Sequence, residues 1–524
     1  MQETFDYVVI GGGSGGCAVA GRLSEEPSTS VCILEAGGAA GTLVRTPIGA
    51  VTMVPSKFNN WAMQTTPQAG LNGRRGYVPR GKVIGGSSSI NAMVYIRGHR
   101  TDYDHWASLG NTGWSYDEVF PYFLRSEGHA TRGAPWHNGT GPLGVSPLRT
   151  DNPFSERFKQ AATQCGYPLN EDFNAAELEG FGDYDVTQRD GQRCSAAQAY
   201  VLPHLASRRN LAVKLHCTAQ RILFDGRRAI GVELLQGGQR KTILARREVL
   251  LAAGAIQSPQ LLMLSGIGPQ EHLRAMGLQV RQHVPGVGQN LQDHPDFVFG
   301  YSSPSLDTFG ISLGGGLRLL REILRFRRER RGMVCSNFAE YGGFMRTRPD
   351  LVAPDIQLHF LVAMVNDHAR KLSMGHGVSC HVCLLRPKSI GELTLASVNA
   401  NDMPLINPRF LEHEQDIEDM TAGFRLTQAL MCAPALAPYL GRNLYTEGVS
   451  TDEQIHKLLR QRVDTIYHPV GTCKMGLDEM SVVDPQLRVR DCEALRVVDA
   501  SVMPTLISGN TNAPTIMIGE KAAD

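Results

Sequence analysis

The run Tyr7-Val-Val-Ile10, followed at once by Gly11-Gly-Gly-Ser-Gly-Gly16, constrains this chain more than any other segment. Its apolar, mostly β-branched residues predict a strand buried on both faces, as in a parallel sheet. Cys17 to Leu23 then reads as a helix rich in small residues, and Ser30-Val-Cys-Ile-Leu-Glu35 as a second strand. The three make a βαβ unit. Gly11, Gly13 and Gly16 fit Gly-x-Gly-x-x-Gly between strand and helix. The first permits the tight turn, the second lets backbone approach a pyrophosphate, and the third allows close helix–strand packing. The helix start offers free N–H groups and a positive dipole end to phosphates. Glu35 lies 19 residues after Gly16, where an acid binds a ribose hydroxyl and disfavours a 2′-phosphate. The expected class is α/β, with a dinucleotide site.

The same residues spell Gly12-Gly-Ser-Gly-Gly16, a Gly-x-Ser-x-Gly match that would make Ser14 a hydrolase nucleophile and His468 its base. Position argues against it. A nucleophile elbow needs earlier strands to build the sheet and an oxyanion loop, and a single strand precedes Gly11. Colour discriminates, since a flavoprotein is yellow and a serine hydrolase is not.

Fifty-two basic residues against 51 acidic ones leave a net charge of +1, so no global field argues for nucleic acid. Hydrophobic residues at 42% and charged residues at 20% exclude a disordered or fibrous chain of this length. Eleven cysteines, an odd number with no secretory leader evident, fit a reducing, cytoplasmic compartment. Cys380 and Cys383 sit in an apolar strand-like run with no second pair, so no metal site is expected. No apolar stretch of about 18 residues predicts a membrane span.

Further strand-like segments recur at Leu211 to Leu215, Ala229 to Leu235 and Arg247 to Ala252. A parallel-type strand, Leu495-Arg-Val-Val-Asp499, appears near residue 497. A sheet that begins near residue 5 and recruits that strand implies interleaved domains.

Arg80-Gly-Lys-Val-Ile-Gly-Gly-Ser-Ser-Ser-Ile-Asn-Ala-Met-Val-Tyr-Ile-Arg-Gly98 is a second glycine and serine loop without periodicity. It resembles the first signature of the glucose–methanol–choline (GMC) oxidoreductases. Gly254-Ala-Ile-Gln-Ser-Pro-Gln-Leu-Leu-Met-Leu-Ser-Gly-Ile-Gly268 resembles the second. Tyr467-His-Pro-Val-Gly-Thr-Cys-Lys-Met-Gly476, Val498-Asp-Ala-Ser-Val-Met-Pro504 and Asn510-Thr-Asn-Ala-Pro-Thr-Ile-Met-Ile-Gly-Glu-Lys521 are similar to the C-terminal part. The likeness spans essentially the whole chain and is strongest to choline- and alcohol-oxidising members.

The resemblance implies a two-domain flavoprotein. A Rossmann-like FAD domain (1–150, 200–294 and 490–524) would interleave with a substrate domain on an antiparallel sheet (151–199 and 295–489). Gly11, Gly13, Ser14, Gly15 and Gly16 would take the pyrophosphate, Glu35 and Ala36 the ribose, and Ala219 would lie near the adenine. Trp61, Val83, Gly86, Asn91, Ala92, Met93, Val94 and Tyr467 would line the flavin, with Asp499 and Ala500 arriving from the other end. Some relatives bind FAD covalently through a histidine just before the asparagine of the first signature. Ile90 holds that place, so FAD is expected to be non-covalent.

The implied reaction is oxidation of a primary alcohol to an aldehyde by hydride transfer to flavin N5. His468 is the expected base, because imidazole is neutral at cellular pH and can take the O–H proton. Asn512 is the expected second active-site residue, a hydrogen-bond donor unable to take a proton. Choline oxidation, with Glu340 pairing the ammonium, is the alternative, as is an oxidase using oxygen in place of a quinone or other acceptor.

Leu317 to Arg331 reads as a basic amphipathic helix, with seven arginines against two glutamates. Leu317, Leu320, Ile323 and Leu324 share one face. Two readings stay open. The leucines pack on the protein, or the helix lies in lipid headgroups on the cytoplasmic face of the inner membrane, where quinone is reached.

Overall fold

The computed structural model describes residues 3–371 and 373–524. The expected βαβ unit is present as β1 (Glu3–Ile10), α1 (Ser14–Leu23) and β2 (Val31–Leu34). β1 and β2 pair in parallel, with Leu211–Lys214 outside β2 and Gln239–Leu251 on the other side of β1. Leu495–Val497 joins Gln239–Leu251 in parallel through Val249 to Leu251, so the late strand does complete the sheet. Antiparallel strands Arg228–Gln236 and Cys217–Asp225 extend it. The segment read as Arg247 to Ala252 is the apolar end of a 13-residue strand, which begins with exposed Gln239, Arg240 and Lys241 and has a second exposed pair at Arg246 and Arg247.

The C-terminal helix (Asn512–Ala523) lies against α1. Small residues permit the approach: a Cβ at Gly519 would meet Ala18 Cβ and Gly15 O at 2.7 Å.

The second sheet is antiparallel throughout, in the order Asp464–Thr465, Pro295–Ser303, Gly375–Leu384, Ile356–Leu361, Ala339–Met345, Gly180–Asp183. Period-2 alternation divides its residues between two environments. Ile356, Leu358 and Phe360, with Val378, Cys380 and Val382, enter a core shared with Phe154, Phe158, Met420 and Phe424 of the covering helices. Gln357, His359, Leu361 and His381 face the opposite side, where His359, Leu361 and His381 line a cavity. All eleven cysteines are free, and no metal-binding cluster occurs among the described residues.

Candidate active site

One cavity of about 440 Å³ runs between the two sheets. At one end lie Gly11, Gly13, Ser14, Gly15, Glu35, Ala36 and Ala219; His359, His468 and Asn510 belong to the other. Trp61, Gly86, Asn91, Ala92, Met93, Val94, Tyr467, Asp499, Ala500 and Asn512 also line it. Two expected residues do not. Val83 is fully buried against Val44, Met53 and Ile90, and the Cα side of Gly16 packs on Gly11 and Ala252.

The glycines behave as their mechanism requires. Gly11 has φ of +102°, and a Cβ on Gly16 would stand 2.0 Å from Gly11 O. At Gly13 the nearest neighbour is 3.8 Å away, which leaves its cavity side open. The first amides of α1 lack a side-chain cap and face that space. Glu35 accepts from Gly12 N–H (3.0 Å) and Gly37 N–H (2.7 Å), and burial raises its pKa to about 7. These donors, this open side and the acid fit a dinucleotide pyrophosphate and ribose.

Asp499 is anchored in the cavity wall. Its carboxylate accepts from Gly254 N–H (2.9 Å), Ser258 Oγ–H (2.6 Å) and Ser501 N–H (2.8 Å).

His468 is nearly buried, and its backbone N–H donates to Asp293 at 2.9 Å. Burial first, then His294, His359 and Arg80, hold its pKa well below the usual imidazole range. Its Nε2 lies 3.3 Å from the Nδ2 of Asn510, not of Asn512. Asn512 starts the C-terminal helix, and its Oδ1 accepts from Ser14 Oγ at 2.8 Å. Asn512, the expected second active-site residue, thus lines the cavity but bonds Ser14, and the asparagine beside His468 is Asn510. The two asparagines sit two residues apart at a helix start, and only the register of that start separates them.

Three neighbours carried little sequence signal. Gln357 donates Nε2–H to Asn510 Oδ1 at 3.1 Å, His294 Nδ1 is 3.0 Å from His468 Nδ1, and both nitrogens of buried His359 lack partners. The alternation of their strand could have flagged Gln357 and His359 as a polar pair on one face.

Glu340 does not reach the cavity wall. It is fully buried and takes hydrogen bonds from Ser336 (2.5 Å), Tyr341 (2.7 Å) and Thr150 (2.8 Å).

Family models of GMC oxidoreductases match residues 5–296 and 387–519. The alcohol dehydrogenase [acceptor] of Pseudomonas putida is 43% identical over 99% of this chain and 95% of its own. Human mitochondrial choline dehydrogenase is 44% identical over 100% and 90%. Among solved structures, pyridoxine 4-oxidase from Mesorbium loti superposes with a TM-score of 0.89 at 30% identity, covering 99% and 98%. A formate oxidase variant of Aspergillus oryzae, solved for the effect of the mutation on FAD modification, gives 0.92 at 29%, covering 99% and 97%. With both family models matched and full-length relatives above 40% identity, this chain belongs to the GMC oxidoreductases, FAD-binding enzymes that act on CH–OH donors.

Proposed function

We propose that the protein oxidises a neutral, largely apolar primary alcohol to its aldehyde, with His468 as base and Asn510 as the donor that orients the alcohol oxygen. The carrying observation is His468 Nε2 beside Asn510 in a cavity continuous with the dinucleotide cradle. Bound FAD supplies the hydride acceptor. His468 takes the O–H proton, because its depressed pKa keeps it neutral. Asn510 donates to the oxygen as charge develops, while Gln357 holds its amide.

Substrate class follows from the wall. Phe338, Leu361, Ala363, Met364 and Val365 line it. Its acids are Glu35, at the ribose end, and Asp499, whose oxygens are already engaged. A quaternary ammonium would lose its hydration there without a free carboxylate in return. Anaerobic flavin reduction by aliphatic primary alcohols and by choline, repeated with a quinone and with oxygen, tests substrate and acceptor together. Faster reduction by choline would overturn the apolar assignment in favour of choline dehydrogenation.

For the acceptor we propose a membrane quinone. No helix among the described residues is long and apolar enough to cross a membrane. The helix Leu313–Glu329 leaves Leu313, Leu317, Leu320 and Leu324 in one stripe, from 93% to 55% exposed. These four leucines thus do not pack on the protein; Leu319 is half-buried, and Phe326 is buried with Ile323 packed against the same small cluster. Arg321, Arg327 and Arg328 are exposed without ion pairs, whereas Arg318 and Arg325 are paired with Asp307 and Asp151. An apolar stripe flanked by free arginines suits an anionic lipid surface, each basic residue adding roughly 1 kcal/mol. The free cysteines agree with the reducing, cytoplasmic face. We expect co-flotation with anionic vesicles that weakens in high salt, and weakens again when the three free arginines become glutamine or Leu320→Ser is introduced. No flotation at low salt, or a dimer that Leu320→Ser abolishes, would refute the membrane assignment.

A further inference from the structure

Two histidines meet behind the reacting atom, and their hydrogen bonds leave little freedom in where the protons sit. His294 and His468 approach through their Nδ1 atoms at 3.0 Å, with the rings perpendicular. Two neutral imidazoles at that distance share one proton, so one Nδ1 donates and the other accepts. On its far side, His294 Nε2 is 3.1 Å from the carbonyl oxygen of Ile507. A carbonyl can only accept, so His294 carries its proton on Nε2 and presents a bare Nδ1 to its neighbour. The proton between the rings therefore belongs to His468 Nδ1, and His468 Nε2 holds a lone pair.

The other end of the chain of contacts gives the same answer independently. Tyr184 OH donates to Leu358 O at 2.7 Å, so it can only accept from Gln357 Nε2, 3.3 Å away. This turns the Gln357 amide so that its NH₂ also serves Asn510 Oδ1. Asn510 Nδ2 must then face His468 Nε2 as a donor, which requires an unprotonated Nε2. Both directions of reading end on the same tautomer.

We propose that His294, backed by the Ile507 carbonyl, is a positioning residue that locks the proton of His468 on Nδ1 and keeps the Nε2 lone pair turned into the cavity. The inference rests on the reading of His468 as base. The neutral side chain of a histidine in water prefers its proton on Nε2, so the catalytic tautomer has to be imposed. When the O–H bond of the alcohol breaks, its proton joins Nε2. The resulting imidazolium keeps its Nδ1–H on the His294 lone pair, as the carboxylate does in a Ser-His-Asp triad but without a charge. The proton goes no further: His294 is fully buried, and that burial lowers its pKa to about 3.

The test uses the oxidised holoenzyme labelled with ring-¹⁵N histidine, the His468 signals being those lost in His468→Ala. Nε2 is expected as an unprotonated, pyridine-type nitrogen. A protonated Nε2 in the wild type overturns the proposal without any variant having to fold. Anaerobic flavin reduction then separates positioning from packing. His294→Leu is expected to move the proton to Nε2 and slow reduction about a hundredfold or more, with the KM little changed. His294→Asn, whose Oδ1 stands near the place of Nδ1, is expected to restore the pyridine-type signal and most of the rate. Wild-type rate in a folded His294→Leu would also overturn the proposal. If His468→Ala itself reduces FAD normally, the base assignment falls; if only the His294 variants do, the base stands and the positioning role falls.

Discussion

In the His468→Ala enzyme, anaerobic reduction of the bound flavin by substrate is expected to slow at least about a hundredfold while FAD stays bound. That factor is the low end for removing a positioned general base. Rapid mixing reads it directly, and a near-normal rate would remove His468 from the mechanism. Asn510→Ala should also slow reduction, whereas Asn512→Ala should act on the contact with Ser14 at the start of α1. The wild-type pH profile gives a further check. A histidine whose pKa is depressed stays neutral as pH falls through about 6.5, the ordinary imidazole value. The rate plateau should therefore extend below that pH, and an ordinary imidazole inflection would contradict the burial of His468.

Gly16→Ala is expected to yield nearly colourless protein. Its Cβ would stand 2.0 Å from Gly11 O and 3.1 Å from Ala252 Cβ, so backbone has to move at the turn that shapes the pyrophosphate cradle. Overpacking of this kind costs about 1–3 kcal/mol, or roughly five- to 150-fold in affinity if it falls on FAD binding. Gly13→Ala makes the control. With 3.8 Å to its nearest neighbour, the added methyl leaves the apoprotein fold intact and intrudes only on the ligand space. Flavin absorbance per protein measures both, and a fully yellow Gly16→Ala would count against the cradle. Acid precipitation of the wild type should release all colour, since Ile90 offers no attachment atom; colour in the washed pellet would reveal a covalent link elsewhere.

The cradle was legible because its logic is local. A strand, a glycine loop, a helix and an acid follow one another within Tyr7 to Glu35, and each reports its own conformation. The proposed catalytic pair was half legible. His468 stood in a dense motif, but choosing between Asn510 and Asn512 required knowing which residue begins the helix. His294 and Gln357 were silent for another reason. Their partners lie 174 and 153 residues away. His294 sits in the short connection just before Pro295–Ser303, and Gln357 lies in a strand buried on both faces, where a polar residue looks like any satisfied core group. Val83 shows the converse: it sits in the right loop, but its side chain turns to Val44 and Met53.

The late strand has a consequence for synthesis. β1 pairs with Gln239–Leu251, which in turn takes Leu495–Val497 as its neighbour, and Ser14 waits for Asn512. At 5–20 residues per second, about 10–50 s separate emergence of Leu251 from that of Val497. Throughout that interval the edge of Leu251 is an unpaired strand, and the nucleotide cradle lacks Asp499, Ala500 and Asn512. The nascent chain is then most exposed to aggregation. Cofactor loading belongs after release from the ribosome, so FAD supply can limit the yield of active enzyme without touching its translation.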